Sequence, residues 1–190
     1  MLPFADIFAF VKHKVFASYH HANDQLYRTL FEFVFCKSER IFISKSVQIG
    51  DIDPLLKVET IRQKIRDEYL RDSTVTVVLI GADTWKRKHV DWEIAASVRQ
   101  TQYNSRSGLL GIILPSHPSH GKSYYDIGTV PPRLHNNVLC GYAAIYQWSN
   151  NPNSVQQWIE YAFKQRSLRK PDNSYPHYIL NKHGERWTQK

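Results

Sequence analysis

The most constraining feature of the sequence is the stretch at residues 74–94, which reads TVTVVLIGADTWKRKHVDWEI. Residues 74–81 form a nearly continuous β-branched and apolar run, as expected of a parallel strand that is covered on both faces. Gly81 ends this run, and after a loop comes a helix that carries one carboxylate, Glu93. Because ligands of open α/β sheets bind at the carboxyl ends of the strands, we expect the functional site in this loop and helix start.

Strand-like and helix-like runs alternate along the chain, which predicts an α/β fold in three layers, with a mainly parallel five-stranded sheet and helices on both faces. Strands are predicted at residues 13–19, 40–44, 74–81, 109–114 and 143–148. Helices are predicted after a cap at Asn23 or Asp24, after Asp53-Pro54, around Glu93, and over residues 154–168.

The spacing of apolar residues indicates which side of each helix faces the core. In the first helix the expected buried stripe consists of Leu26, Leu30, Phe33 and Val34. The helix of Glu93 is expected to bury Val90, Ile94 and Val98, and the last helix Val155, Trp158, Ile159 and Ala162.

The whole chain, residues 1–190, is predicted to be a single domain with three additions. Residues 1–12 form an extra N-terminal segment. Residues 115–135 hold four of the nine prolines and little periodicity, which predicts a long surface loop of a kind that is more often functional than idle. Residues 170–190 form a basic C-terminal tail whose aromatic side chains predict that it packs back onto the body; these are Tyr175, Tyr178 and Trp187.

The formal net charge of +8 is concentrated near the end of the chain. Seven Lys or Arg side chains at residues 164–190 face only two carboxylates, Asp172 and Glu185. A basic tail of this kind is usually a solvated surface, and no zinc-finger, basic-zipper or RNA-recognition signature accompanies it, so we do not expect a nucleic-acid partner.

Cysteine usage and hydropathy indicate the compartment. Cys36 and Cys140 are far apart and neither belongs to a CxxC pair, which predicts neither a disulfide scaffold nor a zinc ribbon and fits a reduced, cytoplasmic compartment. No apolar run approaches the roughly 20 residues that span a bilayer, so no membrane partner is expected.

Several catalytic motifs are missing from the sequence. There is no GxGxxG turn and no GxxxxGK[ST] loop, which argues against a redox use of NAD and against a P-loop. There is no GxSxG elbow, and neither cysteine has the surroundings of a thiol protease. His89 and Glu93 share a helical face but have no evident third partner, so no metal site is predicted.

Each candidate residue also has an ordinary structural interpretation. Glu93 stands at the border of the buried face and, as an exposed residue, would pair with His89 for only about 0.3 kcal/mol. Asp24 would be a helix cap, Ser18 the end of a strand, Phe16 a core residue, and Trp85 a cover for the helix start. Periodicity alone does not join these residues into one site.

Three segments resemble TIR-like domains, in particular those of the bacterial Thoeris anti-phage system. The first is HKVFASYHHAND at residues 13–24, with a strand, a Ser near its end and an Asp opening the first helix. The second is the loop at residues 45–54, in the place of the family's BB loop. The third and most diagnostic is VTVVLIGADTWKRKHVDWEI, with VLIG, a Thr, an Arg and a helix start that leads to Glu93.

The resemblance implies a flavodoxin-like TIR fold and an enzyme that cleaves the nicotinamide–ribose bond of NAD, its substrate, without a further cofactor. It makes Glu93 the catalytic residue, and it implies a substrate pocket walled by five residues, namely Phe16, Ser18, His20, Trp85 and His89. Many TIR enzymes have a Trp-Cys-x-x-Glu pattern, whereas this chain has His89 in place of the Trp. The ring that stacks on nicotinamide therefore stays open among Phe16, Trp85 and Trp92.

The resemblance also implies a biological setting. A phage-derived trigger would activate the enzyme, a cyclic ADP-ribose isomer would be the product, and this diffusible nucleotide would act on a separate effector. Homo-oligomers are a further implication. The alternative is a TIR-like module that makes no product and scaffolds signalling by oligomerising; such modules often lack the helix glutamate.

Overall fold

A computed structural model describes residues 12–45, 60, 67, 70–102 and 104–188. Its strands are β1 (His13–Ser18), β2 (Phe42–Lys45), β3 (Val75–Ile80), β4 (Gly108–Ile113) and β5 (Ala143–Gln147). They form one sheet in the order β2-β1-β3-β4-β5, and every neighbouring pair is parallel. The predicted α/β fold with a parallel five-stranded sheet is confirmed.

Four α-helices connect these strands within the described residues. They are α1 (His21–Phe31), which continues into a π-helix at Glu32–Ser38, α2 (Lys88–Ser97), α3 (Pro132–Leu139) and α4 (Pro152–Leu168). Single 3₁₀ turns lie at Thr84–Lys86 and Ile127–Thr129. The apolar residues of α1 and α4 pack in one cluster on one face of the sheet, and those of α2 and α3 pack in another on the opposite face.

The central strand β3 supplies both apolar clusters because successive side chains of a strand point to opposite faces. Val77 and Leu79 face α1 and α4, whereas Val78 and Ile80 face α2 and α3. Every residue of β3 is buried. Since full burial of one such side chain stabilises a fold by roughly 1.5–3 kcal/mol, β3 is a main source of stability as well as the centre of the sheet.

The strand order reverses between β1 and β3, which makes a crevice at their carboxyl ends. The chain leaves β1 toward β2 on one side and leaves β3 toward β4 on the other. In open α/β sheets with this flavodoxin-like order, such a switch point is where ligands bind. Ser18 ends β1 and Ile80 ends β3, so the residues that follow them surround this crevice.

The predicted orientation of the first helix is wrong for three of its four residues, and only Val34 of that stripe packs against the core. Leu26, Leu30 and Phe33 are 66%, 40% and 59% exposed, whereas Phe31 and Phe35 are buried. Phe31 stacks on Phe42 at 5.2 Å between ring centroids. Leucine and aromatic stripes both have helical spacing, and the aromatic one offers the larger contact with the sheet. The predicted cap is also wrong.

The residue that caps α1 is His20, whose Nδ1 accepts a hydrogen bond from Asn23 N at 3.1 Å. The helix thus begins before Asn23 and Asp24. The last helix likewise begins earlier than predicted, because Asn151 Oδ1 accepts from Asn153 N and Ser154 N and Pro152 follows in the first turn, where proline fits.

The predicted loop at residues 115–135 is too long, since α3 begins at Pro132. The Pro131-Pro132 pair favours a loop in the sequence, yet proline is equally well suited to the first turn of a helix. The rest of the loop is organised by side chains. His117 Nδ1 accepts from Ser119 N at 3.0 Å, and Gln147 Nε2 donates to the carbonyl of Lys122 at 3.0 Å.

The tail packs onto the body, as its aromatic residues predict. Tyr178 is 3% exposed, and Trp187 Nε1 donates to Val130 O at 2.7 Å. Predictions for residues 1–11, for the loop at 46–53 and for most of the helix after it lie outside the described residues. In the part of the chain that is described, no helix combines the length and apolar character needed to cross a membrane.

Candidate functional site

The centre of the site is a hydrogen bond between β1 and α2. Ser18 Oγ donates to Glu93 Oε2 at 2.5 Å, and the two residues are 0% and 3% exposed. Val90 and Ile94 pack α2 onto the sheet, which turns the side of the helix bearing Glu93 toward the end of β1. Glu93 is therefore a buried carboxylate, and among the described residues no hydrogen bond joins it to His89.

Burial dominates the chemistry of Glu93. Desolvation raises the pKa of its carboxyl group to about 8, and the hydrogen bond from Ser18 opposes this rise without cancelling it. Ser18 is its one hydrogen-bond partner within the described ranges. The group is mainly protonated at pH 7, and a cation placed beside it would favour its ionised form.

Asp24 holds three segments of the chain together, namely α1 and the loops after β3 and β4. Ser116 Oγ, just after β4, donates to Asp24 Oδ1 at 2.9 Å, and Thr84 Oγ1 donates to Oδ2 at 3.4 Å. A Cβ on Gly81 would lie 2.2 Å from Asp24 Oδ2, so only glycine leaves room for this carboxylate. Burial raises the pKa of Asp24, and the hydrogen bonds from Ser116 and Thr84 lower it.

Thr84 sets the shape of the loop after β3 and thereby places Trp85. Gly81 N donates to Thr84 Oγ1 at 2.9 Å, which closes the turn. Trp85 is 2% exposed, and its Nε1 has no hydrogen-bond partner in the described part of the chain. A buried donor without an acceptor costs about 1–3 kcal/mol, so an acceptor supplied by a ligand would remove this cost.

His20, His21, His89 and Arg87 form the rim of the crevice. These side chains are all basic, but the three imidazoles are largely neutral. Burial lowers the pKa of His20 and His21, and burial and then the charge of Lys88 lower that of His89 to about 4. The guanidinium of Arg87 contributes to all three shifts. Arg87 therefore lies near each histidine, and its own side chain makes no hydrogen bond within the described residues.

A family model described as Thoeris protein ThsB, TIR-like domain, matches residues 16–119, which is more than half of the chain. The chain belongs to this family. Membership gives the protein a TIR-type role in defence signalling. No curated protein sequence matches the chain. The matched range contains the end of β1, from Phe16, together with β3 and α2, whereas α3, β5, α4 and the tail of this TIR-like domain lie beyond it.

The TIR-like domain brings some predicted site residues together and leaves others apart. Ser18 and Glu93 are in contact, and His20 lies immediately beyond β1. Phe16 is 1% exposed and faces the same side of β1 as Ser18, but no described contact joins it to Glu93. His89 contacts the ring of Trp92 edge-on at 5.3 Å between centroids.

Trp92 faces away from the crevice. Its Nε1 donates to the carbonyl of Tyr178 in the tail at 2.8 Å, which leaves it unsuited to stack on a ligand beside Ser18. Two of the three aromatic residues considered from the sequence still border the crevice. Phe16 lies on β1, on the same side of the sheet as Ser18, and Trp85 lies in the loop after β3.

Sequence reasoning missed the roles of Asp24, Gly81, Thr84 and Ser116 in this TIR-like domain. Local spacing gives Asp24 only as a cap, and the clash expected for a Cβ at Gly81 has no local signature. A glycine that ends a buried strand three residues before a threonine is a usable signal for a tight turn. Nothing in the sequence links Ser116 to Asp24. No three His, Cys, Asp or Glu side chains converge as a metal site within the described ranges.

Proposed function

We propose that the protein cleaves the bond between nicotinamide and ribose in NAD and that Glu93 is its catalytic residue. The observation that carries this proposal is a buried carboxylate, held by Ser18, at the switch point of the sheet. Family membership supports an activity related to NAD.

The chemistry of NAD explains why one carboxylate suffices. Most glycosidases use two carboxyl groups because an alkoxide leaving group must be protonated. Nicotinamide leaves a pyridinium as a neutral molecule and needs no acid. The enzyme has to hold the ribose and stabilise the developing oxocarbenium ion, and an ionised Glu93 in a site without water supplies that stabilisation.

In this proposal, the binding of NAD favours the ionisation of Glu93. The carboxyl group, with a pKa of about 8, is mainly neutral at pH 7. The pyridinium of bound NAD is a fixed positive charge, and an opposite charge within a few ångströms favours the ionised form. Binding of NAD at pH 7 therefore releases a proton from Glu93 and creates the anion at the place where the ribosyl cation will form.

Side chains of the rim are placed to bind the rest of the dinucleotide. NAD carries a diphosphate, and among the described residues the guanidinium of Arg87 is the cation whose charge lowers the pKa of His20, His21 and His89 alike. Arginine binds phosphate oxygens in pairs because its N–H groups form a planar fork. We assign Arg87 to the diphosphate and the free Nε1 of Trp85 to a polar atom of the nicotinamide ribose.

The burial of Glu93 also bears on regulation and product. With Glu93 3% exposed, a ribose reaches the carboxylate only after the crevice opens, which suits an enzyme that waits for a phage-derived trigger. Once NAD is enclosed, water is scarce and a nucleophile from the other end of the same molecule attacks the ribose. The proposed product is accordingly a cyclic ADP-ribose isomer that activates a separate effector.

The test is to incubate the purified protein with NAD, with and without a phage lysate, and to follow nicotinamide and ADP-ribose isomers by chromatography. We expect release of nicotinamide with a cyclic product, and a loss of about hundred-fold or more in Glu93→Gln. Glu39→Gln, which changes an exposed glutamate outside the site, is the control and should retain full activity. Absence of turnover under both conditions refutes the proposal.

A second candidate function is a scaffold that signals through self-association without turnover. The exposed stripe of Leu26 and Leu30 on α1 and Phe33 on the π-helix that continues it favours this function, because contiguous exposed apolar surface marks interaction sites. A scaffold of this kind predicts that Leu26→Glu abolishes self-association in sedimentation experiments and that Glu93→Gln leaves signalling intact. If the protein is instead an enzyme, Glu93→Gln should lose signalling.

A further inference from the structure

The C-terminal strap, residues 172–188, is fixed to the body at both ends. At its start, Asn137 Nδ2 donates to Asp172 O at 2.7 Å, and Asp172 N donates back to Asn137 Oδ1 at 3.0 Å. Near its end, Trp187 N donates to Gly128 O at 2.9 Å. The strap is thus an ordered element that runs from α3 across α2 to the 3₁₀ turn at Ile127–Thr129.

A buried ion pair fastens the strap to α2 and α3. Arg133 Nε donates to Asp91 Oδ1 at 2.9 Å, and the two side chains are 0% and 4% exposed. The same guanidinium donates to Asn173 Oδ1 at 2.7 Å and to Tyr175 O at 2.6 Å. A buried guanidinium needs several acceptors, and the strap supplies those that Asp91 does not.

The middle of the strap bonds to the two residues that precede Glu93. Tyr178 N donates to Asp91 Oδ2 at 2.9 Å, and Trp92 Nε1 donates to Tyr178 O at 2.8 Å. Glu93 itself bonds to Ser18 on the sheet. The middle of α2 is therefore held between the sheet on one side and the strap on the other.

The strap also completes the start of α2. Arg87 occupies the N-cap position without a side-chain hydrogen bond, so its helix begins with backbone N–H groups that need acceptors. Asn181 Oδ1 accepts from Lys88 N at 3.0 Å, and Lys182 N donates to Lys86 O at 2.8 Å. A cap that is usually local comes here from a residue 93 positions away.

We infer that the C-terminal strap is a positioning element for the Glu93 helix and that Asn181 is its positioning residue at the helix start. As far as it concerns turnover, the inference rests on the proposed NAD cleavage. The strap lies outside residues 16–119, so the family match says nothing about it.

Two side chains of the proposed site lie at the start of α2. Arg87 is the N-cap, His89 lies one turn before Glu93, and helix ends without acceptors fray. Loss of the Asn181 acceptor lets the first turn open and moves these side chains relative to Ser18 and Trp85. A displacement of about 1 Å in a catalytic constellation is enough to lower a rate by up to hundred-fold.

The experiment compares three variants of the full chain. Asn181→Ala removes the acceptor, Asn181→Asp keeps an acceptor at the same place, and Asn153→Ala changes an exposed asparagine whose side chain makes no described hydrogen bond. We measure amide exchange at Lys88, kcat and KM for NAD, and the titration of the Glu93 carboxyl group by carbon NMR, assigned by its loss in Glu93→Gln.

In Asn181→Ala we expect exchange at Lys88 to rise about tenfold or more, as for a lost cap bond. We expect kcat to fall by about tenfold, and the Glu93 carboxyl group to titrate at lower pH because the looser helix admits water. Asn181→Asp should restore all three values, and Asn153→Ala should change none.

The outcomes separate this inference from the proposed function. Unchanged exchange at Lys88, or an unchanged Glu93 titration despite faster exchange, overturns the positioning role whether or not NAD is cleaved. A wild-type protein that cleaves no NAD, but whose Lys88 exchange and Glu93 titration respond as expected, refutes the proposed function and leaves the positioning of α2 by the strap in place.

Discussion

Ser18 Oγ and Glu93 Oε2 are joined by a hydrogen bond of 2.5 Å between the end of β1 and the middle of α2. The bond spans the crevice where the strand order reverses, so the carboxylate lies at the position in which sheets of this order bind ligands. Ser18 is the one described group that opposes the effect of burial on Glu93. The pair thus fixes both the place and the protonation of the proposed catalytic group.

Glu93→Gln should make the protein more stable at neutral and alkaline pH. The folded-state pKa of Glu93, about 8, lies above its ordinary value of 4.5, so the native state retains a proton that the unfolded chain loses. Wild-type stability therefore falls as pH rises from about 4.5 to about 8, by on the order of 3 kcal/mol at pH 7. The neutral amide of the variant does not titrate and avoids this loss.

Urea denaturation of both proteins at pH 5, 6, 7 and 8 measures the effect. The difference in unfolding free energy should be small at pH 5 and should grow with pH in favour of the variant. Glu39→Gln, at an exposed position, should show no such trend. A constant difference across this range would mean that Glu93 titrates normally and is not a buried neutral acid.

Ser18→Ala should shift the pH dependence of NAD cleavage upward. The hydroxyl donates to the carboxylate and lowers its pKa, so its removal raises the pKa further and leaves less ionised Glu93 at pH 7. A hydrogen bond to a charged group contributes about 1.5–3 kcal/mol, which corresponds to a loss of roughly tenfold or more in kcat/KM at pH 7.

The control is Ser97→Ala, a buried serine on the same helix whose hydroxyl donates to Ile94 O at 2.9 Å, away from Glu93. Its profile of kcat/KM against pH should match that of the wild type. Coincident profiles for Ser18→Ala and wild type would remove Ser18 from the control of Glu93.

The elements that could be predicted from the sequence are those whose pattern of residues lies within one short stretch of the chain. A buried parallel strand has a continuous apolar run, so β3 and the helix of Glu93 followed from residues 74–94 alone. The buried face of α1 did not follow, because Leu26 and Phe31 belong to two stripes with the same helical spacing, and only contact with the sheet selects between them. The contact of Ser116 with Asp24 depends on the assembled sheet and has no local signal.

Gly81→Ala should destabilise the protein through Asp24. The added Cβ would lie 2.2 Å from Asp24 Oδ2, and Ser116 and Thr84 hold that carboxylate in place. Overpacking of this kind costs about 1–3 kcal/mol. Since Gly81 does not have a positive φ, the cost arises from the clash and should be relieved in part by a second change, Asp24→Ala.

A double-mutant cycle in urea denaturation tests this relationship. The double variant should be more stable than the summed losses of unfolding free energy in the two single variants predict, by about 0.5–3 kcal/mol. Gly121→Ala serves as the comparison, because Gly121 has φ +73° and no atom within 4 Å of an added Cβ, so its cost is backbone strain alone. Additivity between Gly81→Ala and Asp24→Ala would mean that the carboxylate does not fill the space beside Gly81.

Arg87→Ala should raise the pKa of three histidines at once. Burial is the largest cause of the low pKa values of His20, His21 and His89, and the charge of Arg87 adds to it in each case. Lys88 acts on His89 and not on the other two, so Lys88→Ala should raise the pKa of His89 alone. NMR titration of the imidazole nitrogens distinguishes the two variants.

The same variant should weaken the binding of NAD, because Arg87 is the residue assigned to the diphosphate. In kinetics, Arg87→Ala should raise KM for NAD by about tenfold or more with a smaller change in kcat, as expected for loss of a charged phosphate contact. The imidazole titrations decide whether the geometry behind this assignment holds. If the three histidines titrate as in the wild type, Arg87 does not lie at the rim of the site, and its assignment to the diphosphate fails with it.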